Sequence, residues 1–307
     1  MDITVCKVLS SRSRIIYSSA RFENVGLGVD LKDLHRENER AWDIVARSRY
    51  ARDVDGDVAF LRAGGTSLMS HELRLLGDLA LWCRRAIHLQ CSHGLDALSL
   101  WKLGAHEVIG IDISEFMLAL AGRKARLLAA PATWIHSNVL DVPAELNGTA
   151  DLVYTGKGAL PWVMDLERWA AVIERLLKPG GRLFVFEGHP LNWVWEPEAS
   201  EFRLRMDGGD YFGAEPRPNR DFPASSLEQE VATASPAPCA RERQWTLGEV
   251  VTQLAEVGLT LERMEEHPEQ YWPLFCEIPE TVVQRLPHTF SLCMRKAQPN
   301  QHRNPRS

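Results

Sequence analysis

Several short stretches place residue types that could do chemistry directly after apolar runs. QCSHG (90–94) follows AIHL, Asp112 closes VIGID, and Asn138 and Val139 follow TWIHS. An acid at the end of a second strand can accept hydrogen bonds from both hydroxyls of a ribose. Asn138 could accept from an exocyclic amine while the Val139 N–H faces a ring nitrogen, and Ile113 and Thr155 stand at neighbouring tips. Taken with His88, Gln90, Ser92 and Gly94 of the first loop, these residues describe a pocket for an adenosine. Each also has a plainer explanation. A glycine after a strand can be only a turn, and Asp112 two residues before Ser114 can be only the start of a helix. Their order and spacing together favour the pocket.

A second group lies further on. YTGKGALPW supplies Tyr154, Lys157 and Trp162, and FEGHP supplies Glu187 and His189, followed by Trp193 and Trp195. His189 has the ordinary pKa of a base near neutrality, although a structural histidine bonded to a carbonyl has the same signature. Glu187 could pin a substrate amine or only a loop N–H, and Tyr154 completes the set of candidate catalytic groups. Trp162, Trp193 and Trp195 could wall an aromatic or cationic substrate or simply fill core. Lys157 is a substrate-binding candidate or a solvated loop charge. His88, Cys91 and His93 are adjacent and could tempt a metal. A strand, however, sends His88 and Cys91 to opposite faces and no fourth ligand follows, so no metal is expected, and Cys91 reads as a small packing residue.

Elements of a definite kind must hold these residues. AIHLQ (86–90), VIGIDIS (108–114), TWIHSNV (133–139), DLVYT (151–155) and RLFVFEGH (182–189) read as strands. Helical periods separate them at LDALSLWKLGA, FMLALAGRKARLLA and DLERWAAVIERLLKPGG. This alternation predicts βαβ units, hence an α/β fold with a doubly wound, mostly parallel sheet. Residues 31–80 read as a helical cap, with a helix from Asp33 to about Ser48 and a shorter one from an N-cap at Ser70 through Leu79. Residues 1–30 read as a loose arm. Residues 191–244, aromatic and then rich in Pro, Gly, Ala and Ser, are too long for a plain connection and predict an excursion over the active site. WTLGEVVTQLAEVGL then predicts a helix capped by Thr246 and stopped at Gly258, and LTLERMEEH and TFSLCMRK two closing strands. A core domain over 81–296 and a disordered tail over 297–307 complete the expected layout.

Composition bounds the function. A chain of 307 residues, 45% hydrophobic and 25% charged, can bury a substantial core. Its net charge of −6 gives no global pull toward nucleic acid or anionic membrane, so neither is an expected partner. Six scattered cysteines without a CxxC pair fit a reducing compartment, and no apolar run approaches membrane-spanning length. The expectation is a cytoplasmic protein of undetermined oligomeric state.

The stretches IHLQCSHGLDALSLWKLGAHEVIGIDIS and DLVYTGKGALPWVMDLERWAAVIERLLKPGGRLFVFEGHP resemble the class I S-adenosylmethionine-dependent methyltransferases. They are most similar to a bacterial branch whose loop reads roughly HLQCHFGLDTLSLARLGA. The resemblance runs from about Glu37 to Lys296 and implies a seven-stranded Rossmann-like sheet, S-adenosylmethionine as cofactor, and methyl transfer to a small molecule. It also implies that His88 to Gly94 meet the methionine part, Asp112 the ribose and Asn138 the adenine. In the wider family the first loop is an acid followed by alternating glycines. Here His88 stands for the acid, Gln90 and Ser92 for two glycines, and only Gly94 is kept. Asn138 replaces the usual Asp but retains an acceptor oxygen. Two alternatives stay open: a cofactor-binding partner or regulatory protein without turnover, and a nicotinamide-dependent oxidoreductase, for which QCSHG lacks the GxGxxG loop.

Overall fold

The computed structural model describes residues 31–48, 54–206, 209–213, 215–219 and 240–298. The expected arm over 1–30 and the tail beyond 298 lie outside the described residues. Seven strands form one sheet: β1 (Arg85–Leu89), β2 (Glu107–Asp112), β3 (Ala132–His136), β4 (Ala150–Gly156), β5 (Leu177–Gly188), β8 (Leu259–His267) and β9 (Thr289–Lys296). Their order is β3-β2-β1-β4-β5-β9-β8, and a separate two-residue ribbon pairs β6 (Arg217–Pro218) with β7 (Arg241–Glu242). The first five strands pair in parallel, and β9 joins β5 and β8 antiparallel. The fold is therefore α/β, with a mostly parallel, doubly wound sheet.

Burial along the strands follows from this order. The central β1, β2 and β4 are covered on both faces and read as nearly unbroken apolar runs. The edge strand β8 carries Glu262, Arg263, Glu265 and Glu266, charges that discourage a further strand from pairing. Side chains alternate between two cores. Ile87, Leu89, Val153, Leu183 and Val185 face one, with α6 (Leu166–Leu176) and α7 (Leu247–Glu256) against that cluster through Trp169, Ile173 and Leu254. Ala86, Leu152, Tyr154, Phe184 and Phe186 face the other, against α3 (Ser70–Leu76) and the turn at Leu79.

The helices begin where local chemistry allows. Ser114 accepts from the Met117 N–H to start α5 (Glu115–Leu128), Asp165 accepts from the Arg168 N–H to start α6, and Thr246 with Glu249 forms a reciprocal cap on α7. Gly258 follows α7 at φ +94°, the left-handed stop its position predicts. Helix α3 differs from expectation. Ser70 is its first residue and Met69 its cap, because Glu72 reaches back to the Met69 N–H at 2.7 Å. It ends at Leu76, before a left-handed Gly77, and Leu79–Leu81 forms its own short turn. The sequence reading also passed over α2 (Val54–Arg62), whose Val54, Val58 and Leu61 are buried at helical spacing. Helix α1 (Leu31–Ser48) and α2 both lie against α5, and Lys124 of α5, fully buried, is ion-paired to Asp57 of α2 at 2.5 Å.

Candidate functional site

The sheet order places one crevice by topology. The chain leaves β1 toward β2 and β3 on one side and returns to β4 on the other, so the loops after β1 and β4 diverge and leave a gap at their carboxyl ends. A cleft of about 240 Å³ lies there, bordered by the loops after β1, β2, β3 and β4.

The loop after β1 turns sharply. Gln90 (φ +56°) and Ser92 (φ +49°) both adopt left-handed backbone, an uncommon state for residues with side chains, and Gly94 (φ +78°) opens α4 (Leu95–Lys102). The Ser92 N–H donates to Asp112 Oδ2 at 2.7 Å, and the Ser114 N–H donates to Oδ1 at 2.9 Å. The carboxylate thus locks two loops together while still bordering the cleft. Burial raises its pKa to about 6 despite these donors. Gln90 donates through Nε2 to the Ala159 carbonyl at 2.8 Å, and its Oε1 is buried without a partner. His88 is buried edge-on against Tyr154, and desolvation lowers its pKa to about 4, which keeps the imidazole neutral. Cys91 packs under the loop, with its thiol 2.7 Å from where a side chain on Gly110 would begin.

Ile113, Asn138 and Val139 border the same cleft, as expected. Asn138 Oδ1 already accepts from the Leu140 N–H at 2.9 Å, which fixes the side chain and leaves the oxygen a second lone pair. Gly94 is not part of the lining. A side chain there would begin 2.6 Å from both Ala121 Cβ and the Trp134 ring, so this glycine is required by packing behind the loop. Thr155 is also absent from the lining; it is fully buried inside β4, with an unpartnered hydroxyl.

The second group of candidates divides. Trp162 borders the cleft, edge-on to Trp42 of α1 at 5.3 Å. Lys157 borders it too, but its ammonium is held by the Ser67 carbonyl (2.9 Å), Asp96 (3.1 Å) and Glu72 (3.2 Å). Burial works against that charge, and the two carboxylates outweigh it, so the pKa is raised. The other candidates are placed elsewhere. Because β4 continues to Gly156, Tyr154 is an interior strand position facing α3, where its hydroxyl donates to Glu72 at 2.5 Å. Glu187 is buried and accepts from the N–H groups of Gly158 (2.5 Å), Ala159 (2.8 Å), Leu160 (3.0 Å) and Gly188 (2.7 Å), and from the Tyr271 hydroxyl (3.1 Å). It organises the loop after β4. His189 lies 2.8 Å from Glu266 through Nε2 and accepts the Leu191 N–H through Nδ1. Trp195 packs on Phe202, and Trp193 is partly exposed; neither borders the cleft. Among the described residues of 191–244, none lines it.

Sequence reasoning missed the contributions from α1, α4 and the segment after β8. His35, Asn38 and Trp42 border the cleft from α1, Asp96 from α4, and Trp272 from beyond β8. Asn38 exchanges hydrogen bonds with the backbone of Arg241 at 3.0 and 2.7 Å, which ties α1 to the β7 strand. A signal existed for the first three: 35, 38 and 42 recur at helical spacing on one side of α1. Nothing local marked Trp272. His71, His267 and Glu269 form a loose group of metal-ligating types outside the cleft.

Comparison with known proteins adds resemblances to this geometry. Residues 87–185 match a methyltransferase-domain family. A 2-phytyl-1,4-naphtoquinone methyltransferase of Synechococcus elongatus is 33% identical over 109 residues, 34% of this chain and 46% of the relative. The chain therefore matches about half the length of the curated relatives. In fold, an S-adenosylmethionine-dependent methyltransferase from Listeria monocytogenes superimposes with a TM-score of 0.55 at 17% identity, covering 74% of this chain and 97% of that one. One from Mesorhizobium loti gives 0.50 at 21% identity, over 73% and 95%.

Proposed function

We propose that this chain, which carries a class I S-adenosylmethionine-dependent methyltransferase domain, holds S-adenosylmethionine across the tips of β1, β2 and β3. We propose further that it passes the methyl group to a small molecule seated toward β4. The observation that carries this reading is the meeting of Asp112, Ile113, Asn138 and Val139 with the first loop in a single cleft.

The residues present fit an adenosine. The Asp112 oxygens accept from the Ser92 and Ser114 N–H groups and keep acceptor capacity for a ribose hydroxyl. Ile113, Met117 and Val139 offer apolar surface for a base, next to the fixed Asn138 amide. The buried, unpartnered Gln90 Oε1 gives the first loop an acceptor toward an amino-acid group. When bound, the cofactor supplies an activated methyl on a positively charged sulfur. The chain's own contribution is to hold the acceptor in line and keep the site dry. Tyr154 and His189 are committed away from the cleft, and Glu187 is taken up by the N–H groups of the loop that borders it, so this reading places catalysis on positioning rather than on those three groups.

A second reading, cofactor binding without turnover, is favoured by the left-handed Gln90 and Ser92, which put side chains where glycine is easiest. Calorimetry with S-adenosylmethionine, S-adenosylhomocysteine and NADH tests both. Binding of NADH alone rejects a methyltransferase. Binding of the adenosylmethionine pair with no methyl transferred across a metabolite panel favours the silent protein. Among the described residues no helix is long and apolar enough to cross a membrane. The free cysteines 83, 91, 276 and 293 support a cytoplasmic setting, and the net charge supports a partner other than nucleic acid.

A further inference from the structure

Two side chains lace the first loop and the start of α4 to the loop after β4. Gln90 donates through Nε2 to the Ala159 carbonyl at 2.8 Å, and Asp96, in the first turn of α4, accepts from Lys157 at 3.1 Å. A carbonyl can only accept, so the Gln90 amide must turn its own oxygen away from Ala159. That Oε1 is buried without a partner. Asp96 is arranged in a similar way. Its Oδ1 takes both the Ser67 hydroxyl and the Lys157 ammonium, and its Oδ2 has no hydrogen bond among the described residues. His88 is 3% exposed, and its Nδ1 is also buried without a partner. Gln90, Asp96 and His88 all border the cleft.

The charges at this end of the cleft decide what it can hold. Lys157 has three N–H donors, and Ser67, Asp96 and Glu72 take them, so none is left for an anion. Burial opposes the Asp96 charge, but Lys157 outweighs it and the pKa is lowered, so the carboxylate is ionised at neutral pH. The Asp96 side chain keeps 19% of its surface exposed, which leaves that charge open to the cleft. His88, its pKa lowered to about 4 by desolvation, adds no positive charge of its own. A carboxylate oxygen and an amide oxygen without donors suit a ligand group rich in them, and an ammonium brings three together with a compensating charge. The sheet order puts this end on the β4 side of the first loop, away from Asp112 and Asn138. An adenosine held by those two residues would send its 5′ substituent this way.

Resting on the methyltransferase reading, we infer that Asp96, two residues beyond the first loop, binds the α-ammonium of the cofactor's amino-acid part, with Gln90 Oε1 as its second acceptor. The experiment is calorimetric titration of the full chain with S-adenosylhomocysteine and, in parallel, with its analogue lacking only the α-amino group. The wild-type chain should bind S-adenosylhomocysteine at least about tenfold more tightly than the analogue, the scale of a lost charge-assisted hydrogen bond. Asp96→Asn keeps the shape of the side chain and removes its charge. It should weaken S-adenosylhomocysteine about tenfold and leave the analogue within about twofold, so that the preference nearly disappears. Asp96→Glu, which retains the charge, should restore part of the preference. The wild-type comparison needs no substitution, so it tests the ammonium site even if a variant folds poorly. Equal wild-type affinity for the two ligands, an undiminished preference in Asp96→Asn, or equal weakening of both ligands by that variant would overturn the inference while the cofactor still binds. Failure of both ligands to bind the wild-type chain removes the methyltransferase reading, and this inference with it.

Discussion

Asp112 offers the most direct test of the cleft. Its carboxylate is 8% exposed, and burial raises its pKa from 3.8 to about 6 even with backbone donors on both oxygens. That shift corresponds to about 3 kcal/mol against the charged form. A fold that keeps so costly a charge at a cleft wall has a use for an acceptor stronger than a neutral group. Losing one charge-assisted hydrogen bond from a ribose hydroxyl costs about 2 kcal/mol, so Asp112→Ala should weaken S-adenosylhomocysteine binding roughly thirtyfold near pH 8. Asp112→Asn should fall between, since the amide keeps one acceptor but turns a donor toward the Ser92 or Ser114 N–H. Wild-type affinity should decline as pH falls through about 6, where the carboxyl gains a proton, and that decline should vanish in Asp112→Asn. Stability runs the other way. Between pH 3.8 and about 6 the folded state holds a proton that the unfolded chain has released, so the contribution of Asp112 to stability is lost as pH rises through this window. Isothermal calorimetry across pH 5 to 8 reads the binding, and urea melts read the stability. An unchanged affinity in Asp112→Ala, or a flat wild-type profile, would refute the ribose assignment.

Three further outcomes follow from the same geometry. Glu187→Gln removes charge from a buried group that anchors four backbone N–H groups, and should cost about 3 kcal/mol in urea denaturation; a loss confined to turnover would instead mean Glu187 touches substrate. Gly94→Ala forces a methyl group to within 2.6 Å of Ala121 and Trp134 at a left-handed backbone, and should destabilise by about 2 kcal/mol or more. Wild-type stability in that variant would contradict the tight packing. His189→Ala should leave S-adenosylhomocysteine affinity within about twofold, because the imidazole faces Glu266 outside the cleft; a tenfold loss by calorimetry would place it at the site after all.

The sequence by itself determined the sheet and one end of the site. Apolar runs covered on both faces, separated by helical periods, stack as parallel strands, and the residues at or just past the ends of the first three, Gln90, Asp112 and Asn138, were bound to gather there. Tertiary structure decided the other end. Whether Tyr154 is a tip or an interior position depends on β4 pairing with β5 as far as Gly156, a register that no local pattern fixes. Glu187 and His189 stand at the end of a strand as Asp112 does, yet Glu187 is drawn to the N–H groups of a neighbouring loop and His189 to β8. Trp42 and Trp272 reach the cleft from segments 230 residues apart. Local periodicity reports which side of its own element a residue occupies; which distant element meets that side is settled only when the whole chain packs.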